Sequence, residues 1–101
     1  MSKIYVRRSP DTAARKLAGE MMVMSVTDST LFSLDEVASI IWNAADGSRE
    51  LAEIVEQLIV PEFEVEPQTA YLDALEFVEQ LAQHGILRIS DSPMAEARGP
   101  R

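Results

Sequence analysis

The chain has 101 residues, a formal net charge of −8 at pH 7 and no cysteine. This length fits one domain with a single hydrophobic core and leaves little volume for a deep active-site cavity. Without cysteine, disulfides, thiolate zinc sites and cysteine nucleophiles are excluded. No apolar run approaches the roughly 20 residues of a membrane span, and the polar start lacks the apolar stretch of a signal peptide. We therefore expect a cytoplasmic protein that does not contact the membrane.

The charge is unevenly distributed. Residues 1–19 hold five basic residues against Asp11, whereas residues 20–90 hold fourteen acidic residues against Arg49 and Arg88. An acidic body repels phosphate, so nucleic acid is not an expected partner.

The first third of the chain predicts short strands. Residues 4–7 are a β-prone run stopped by the turn signal at 9–11, and residues 14–17 predict a second strand. Residues 20–26 are apolar at almost every position, which favours a strand covered on both faces. A helix is the alternative, because Met and Glu are good helix formers. Residues 31 and 32 end the β region.

The middle of the chain predicts two helices. Ser33 and Glu36 have capping-box spacing, with Phe32 and Val37 as a hydrophobic staple, and Asp46-Gly47 ends the helix. A second helix begins at a Ser48 cap and ends at Pro61. We expect its buried positions to be Leu51, Ile54, Val55 and Leu58.

A third helix is predicted from Pro67, at its first position, to Gln83. Gly85 closes it, and Leu81 and Ile86 have the spacing of a Schellman contact. Residues 86–89 form a last short strand, and residues 91–101 are expected to be a disordered tail. Three helices and a terminal strand are the layout of a winged helix-turn-helix.

At this point the sequence resembles the PqqD-like family, also called RiPP recognition elements. Residues 34–42 (Leu-Asp-Glu-Val-Ala-Ser-Ile-Ile-Trp) are similar to its first-helix motif. The resemblance covers residues 4–90 and continues through further segments: Asp46-Gly47, Glu53-Ile54, Val65-Glu66-Pro67 and Gly85-Ile86-Leu87. Val37-Ala38 and the methionine-rich strand are more similar to the general family than to its pyrroloquinoline quinone member, and the tail beyond residue 90 has no counterpart in the family. Both departures leave the pathway open.

The resemblance implies an α+β fold over residues 1–90, in which an N-terminal three-stranded antiparallel sheet precedes a three-helix winged-helix-like bundle. It also implies a non-catalytic role without a cofactor. Such proteins bind the leader of a ribosomally synthesised precursor peptide by strand addition and present it to a modifying enzyme, often a radical SAM protein.

The predicted peptide-binding site combines the third strand with one face of the third helix. The strand residues are Glu20, Met21, Met22, Val23, Met24, Ser25 and Val26, and the helix residues are Tyr71, Leu75, Val78 and Ala82. The apolar arc of this helix spans roughly 160°, wider than docking requires, so the excess either lines a groove or packs on a second neighbour. The methionines suit an adaptable surface and equally a core. Basic residues of the first strands either attract an acidic leader or are solvated.

Other functions are disfavoured or left open. No nucleophile motif, metal-ligand cluster or nucleotide loop points to an enzyme. Trp42 is expected to pack in the core, and the single histidine, His84, has no partners for a metal site. A winged-helix nucleic-acid-binding regulator would need basic residues on its third helix, but residues 50–87 contain no Lys or Arg. A protein adaptor stays open, as do a monomer and a weak or strand-swapped dimer.

Overall fold

The computed structural model describes residues 3–10, 12–26 and 28–94. These residues form two antiparallel three-stranded sheets and three helical segments. The strands are β1 (Tyr5–Arg8), β2 (Thr12–Leu17), β3 (Glu20–Ser25), β4 (Leu31–Leu34), β5 (Asp46–Glu50) and β6 (Leu87–Ser90). The helices are α1 (Glu36–Ala44), α2 (Leu51–Ile54), a π-helical turn (Val55–Ile59), α3 (Val60–Phe63) and α4 (Pro67–Gln83). Because α2, the π turn and α3 are continuous, they form one helical segment, and the described part of the chain has three helices as expected. The α+β fold class is therefore confirmed.

The first sheet is the wing, with strand order β5-β1-β6. Strand β1 pairs with β6 from Tyr5↔Ser90 to Arg8↔Leu87, and with β5 on its other edge. Two predictions were therefore wrong. The first predicted strand does not belong to the N-terminal sheet, and Ser48 does not cap the second helix, because Asp46–Glu50 form β5 and Glu50 precedes α2. Helix α1 does end just before Asp46-Gly47, and Gly47 has a positive φ of 86°, as expected.

The second sheet is the N-terminal one, with strand order β2-β3-β4. Ala18 and Gly19, both with positive φ (52° and 84°), join β2 to β3. Two such residues are what a tight hairpin turn requires. The predicted strand at 20–26 is confirmed as β3, but it is the central strand. The third strand of this sheet is β4, of which the sequence had shown only Leu31 and Phe32 as a β end.

Helix α1 begins two residues later than predicted. Asp35 is its N-cap, and its carboxylate accepts from the Ala38 N–H at 2.8 Å. Leu34 still pairs with Met21 in the sheet and is only 3% exposed, so Ser33 cannot be the cap. The capping box and the staple are therefore both absent.

Pro61 does not end the second helical segment. The Val60 N–H bonds to the Val55 carbonyl five residues earlier, and the helix continues to Phe63. A proline ring clashes with the carbonyl four residues before it, and the wider π turn gives that ring room. Of the predicted core positions, Leu51, Ile54 and Val55 are buried, as expected, while Leu58 is half-buried.

Helix α4 follows its prediction closely. Pro67 is at its first position, and Glu66 caps it by accepting from the Thr69 N–H at 2.8 Å. At its end the Gly85 N–H bonds to the Ala82 carbonyl and the Ile86 N–H to the Leu81 carbonyl, both at 3.0 Å. These two bonds are the Schellman motif, and Leu81 and Ile86 are both buried.

The core lies between the helices and the inner faces of both sheets. Trp42 is buried in it, as expected. The Arg8 guanidinium lies 5.9 Å from the Trp42 ring and donates to the Trp42 carbonyl at 2.7 Å, so it closes the C-terminal end of α1. Arg8 therefore has a structural role in the fold.

The structure describes the first four residues of the predicted tail, 91–94. The Met94 N–H donates to the Gly47 carbonyl at 2.8 Å, which holds residues 91–94 against the wing. Gly47 has φ +86°, and a Cβ there would collide with the Met94 carbonyl. Residues 95–101 lie outside the described part of the chain.

Candidate functional site

Strand β4 is an edge strand. Within the described residues it pairs only with β3, from Met21↔Leu34 to Met24↔Leu31. Across the turn, the Ser25 N–H donates to the Thr30 carbonyl at 2.9 Å. Because antiparallel bonding alternates residue by residue, Phe32 and Leu34 direct their backbone groups to β3. The N–H groups of Leu31 and Ser33 consequently point to the free edge, where they can accept a further strand.

Strand β3 cannot accept such a strand. Residues 21–24 pair with β2 on one side and with β4 on the other. The predicted addition of a peptide beside residues 20–26 is therefore wrong as a backbone interaction. It stays a prediction that side chains of this segment contact the peptide, except those that are buried. The predicted side chains are those of Glu20, Met21, Met22, Val23, Met24, Ser25 and Val26.

Those exceptions follow from the two faces of the sheet. Val23 and Ser25 are completely buried against the helices and cannot reach a ligand. Met22 and Met24 pair with Ser33 and Leu31 on the opposite, outer face, where Met24 is 37% exposed. Glu20 accepts a hydrogen bond from the Ser33 hydroxyl at 3.0 Å, so it lies beside the edge strand.

A cavity of about 320 Å³ lies between α1 and α4. Asp35, the residue that follows β4, is on its wall. Most lining groups are apolar, with two carboxylates among them: Asp35, Val37, Ala38, Ile41, Ile59, Val65, Thr69, Ala70, Asp73, Ala74 and Phe77. The volume is at the lower end for ligand pockets and suits one bulky side chain.

The α4 residues on this cavity are not the predicted ones. Val78 is completely buried in the core, so its assignment to the site was wrong. Ala82 lies beside Ile89 of β6, on the wing side of the helix. Tyr71 and Leu75 are half-buried and pack against the core. The cavity is lined instead by the other flank, with Ala70, Asp73 and Phe77. Ala70 and Phe77 belong to the apolar arc of the predicted helix, but the predicted site used its other half.

His84 ties the edge-strand sheet to the end of α4. The Ser25 hydroxyl donates to the His84 carbonyl at 2.6 Å, and the His84 Nδ1 lies 2.8 Å from an Asp28 carboxylate oxygen. The Phe32 and His84 rings meet edge to face, with centroids 5.3 Å apart. The His84 hydrogen bond, followed by that from the Thr30 N–H, holds the pKa of Asp28 well below its usual range. These contacts fix β4 relative to α4.

The charges around the cavity have one sign. Residues 17–48 and 50–87 contain no Lys or Arg, and these ranges include β4, α1 and α4. The exposed Arg15 and Lys16 are on β2, at the far edge of the sheet. In the described ranges, the side chain of Asp73 makes no hydrogen bond or ion pair.

Two further observations bear on the class of site. Among the residues that the structure describes, no group of three or more His, Cys, Asp or Glu could hold a metal ion. In the same residues, no helix has both the length and the apolar character to span a membrane.

Comparison with known proteins identifies the family. A family model described as Coenzyme PQQ synthesis protein D (PqqD) matches residues 20–87. Curated proteins give no match. The solved structure "TbiB1 in Complex with the TbiA(beta) Leader Peptide" is similar, with 27% identity and a TM-score of 0.70, covering 81% of this chain and 94% of that one.

A second solved structure, "Lasso peptide synthetase B1 complexed with the leader peptide", has 23% identity and a TM-score of 0.68. It covers 82% of this chain and 96% of that one, and at this identity it shows the fold alone. The family model spans well over half of the chain, and the fold of the chain is similar to that of both structures. The chain belongs to the PqqD family.

Proposed function

We propose that this protein binds the leader segment of a ribosomally synthesised precursor peptide and presents it to a modifying enzyme. The observation that carries the proposal is the free edge of β4, which ends at an apolar cavity between α1 and α4. The leader pairs with the outward Leu31 and Ser33 backbone groups, and one of its side chains enters the cavity.

The family and the likeness to TbiB1, whose structure contains a leader peptide, support this role. Backbone pairing gives affinity with little sequence selectivity, so the cavity supplies the selectivity. The protein itself performs no chemistry. The modifying enzyme, a radical SAM protein in many systems of this type, acts on the remainder of the peptide. Since the precursor is made on ribosomes, we place the encounter in the cytoplasm.

A proline scan of the two sheet edges tests the strand addition. Ser33→Pro removes an N–H that points to the free edge of β4 and leaves the bonds to β3 in place. We expect it to weaken binding of a fluorescent leader peptide, taken from a precursor encoded beside the gene, by about tenfold or more, measured by fluorescence anisotropy.

Two controls make the scan specific. Ser33→Ala removes the hydroxyl bond to Glu20 and keeps the N–H, so it should bind normally. Ala14→Pro removes an N–H on the opposite edge, because the same alternation directs Ala14 away from β3. If both proline variants lose the same affinity, addition at β4 is ruled out. It is also ruled out if both variants fold and neither loses affinity.

A further inference from the structure

We infer that the leader segment which fills the cavity is basic, with a lysine or arginine next to the apolar side chain that enters it. This inference rests on the proposed function and adds the chemical class of the ligand. It comes from the sign and position of the charges on the cavity wall.

The cavity wall places carboxylates beside apolar surface. Asp35 stands where β4 runs into α1, and Asp73 stands on α4, and both line the cavity. Asp35 is partly occupied, because it caps α1 through the Ala38 N–H. The carboxylate of Asp73 has no hydrogen-bonding or ionic partner among the described residues. A carboxylate beside an apolar cavity interacts more strongly with a ligand charge than one fully surrounded by water.

The elements around the cavity carry no charge that would offset these carboxylates. Every Lys and Arg of the described residues lies outside residues 17–48 and 50–87. Arg8 closes the end of α1, and Arg15 lies two strands away from β4. One interpretation of the sequence was that the basic first strands attract an acidic leader. Such a leader would be repelled by the carboxylates at the cavity. A basic leader is both steered to the groove and held there.

Peptide selection tests this inference. A displayed library of random 12-residue peptides is selected on the wild-type chain and, in parallel, on the Asp73→Lys variant. We expect the wild-type selection to enrich Lys and Arg beside an apolar residue, and the variant to lose that enrichment. Enriched peptides that are apolar but neutral or acidic would overturn the inference and leave the proposed function intact. A library from which no peptide binds would overturn both.

A binding measurement then isolates the one carboxylate. For an enriched peptide, Asp73→Asn should weaken binding by about three- to fivefold, and the loss should shrink at high salt. Glu79→Gln makes the same change in net charge on the wing side of α4, beside Ala82. It should leave affinity within about 1.5-fold. Equal effects of the two variants would mean that net charge, and not the cavity carboxylate, selects the peptide.

Discussion

Phe77 and Val78 are neighbours in sequence, and the structure gives them opposite roles. Val78 is completely buried in the core, whereas Phe77 is half-buried and lines the cavity. Substituting each with alanine should therefore separate stability from binding. We expect Val78→Ala to destabilise the fold and leave leader affinity unchanged, and Phe77→Ala to reduce affinity.

The magnitudes follow from what each change removes. Val78→Ala deletes two methyl groups from a site with no access to water, a transfer loss of about 1.6 kcal/mol. The cavity left behind brings the total to about 2–3 kcal/mol, or a drop in Tm of roughly 10–20 °C for a domain of this size. Phe77→Ala should weaken leader binding about tenfold, which corresponds to about 1.4 kcal/mol.

The assay combines circular dichroism melts with fluorescence anisotropy at about 10 °C, well below the expected Tm of either variant. Affinity is then measured on folded protein, so a stability loss does not appear as a binding loss. If the folded Val78→Ala variant loses as much affinity as Phe77→Ala, the peptide contacts the side of α4 that carries Val78. The assignment of the groove to the Phe77 flank would then be refuted.

Two further predictions concern the fold. Gly47→Ala should destabilise the domain by about 1–3 kcal/mol, because the residue has φ +86° and its Cβ would meet the Met94 carbonyl. The measurement is chemical denaturation, and an unchanged midpoint would mean that the contact between Gly47 and Met94 is not made in solution. The depressed pKa of Asp28 contributes stability that is fully present above its unfolded value of about 4 and is lost as the pH falls from there toward the folded pKa. The Tm advantage of wild type over Asp28→Asn should therefore shrink below pH 4, and an advantage that stays constant from pH 7 to pH 2 would contradict the bond to His84.

The sequence predicted best what is decided locally. Helix α4 has its proline, its glycine and its Leu81–Ile86 contact within one stretch of chain, and all were found where expected. The start of α1 was harder, because Ser33 and Asp35 are both good caps. The pairing of Leu34 with Met21, thirteen residues away, extends the strand past Ser33 and leaves Asp35 as the cap.

Strand β5 shows the same limit more strongly. Its residues, Asp-Gly-Ser-Arg-Glu, have the composition of a turn and a helix start, and nothing in them favours a strand. They are extended because β1 offers an edge to pair with, and β1 is about forty residues away along the chain. The partner of a strand is a property of the whole fold, which a pass along the sequence does not reveal.

That single non-local pairing also explains why strand addition was predicted at residues 20–26, which have no free edge. Once β1 joins the wing, the N-terminal sheet must recruit its third strand from further along the chain, and β4 is the segment that does so. Strand β3 then moves from the edge to the centre, and its near-continuous apolar pattern is that of a strand with a neighbour on each side and a buried face. The resemblance implies that a third strand receives the peptide. Only the register of the sheet shows that, in this chain, the third strand is Leu31–Leu34, and the edge it leaves free runs toward the Phe77 flank of α4.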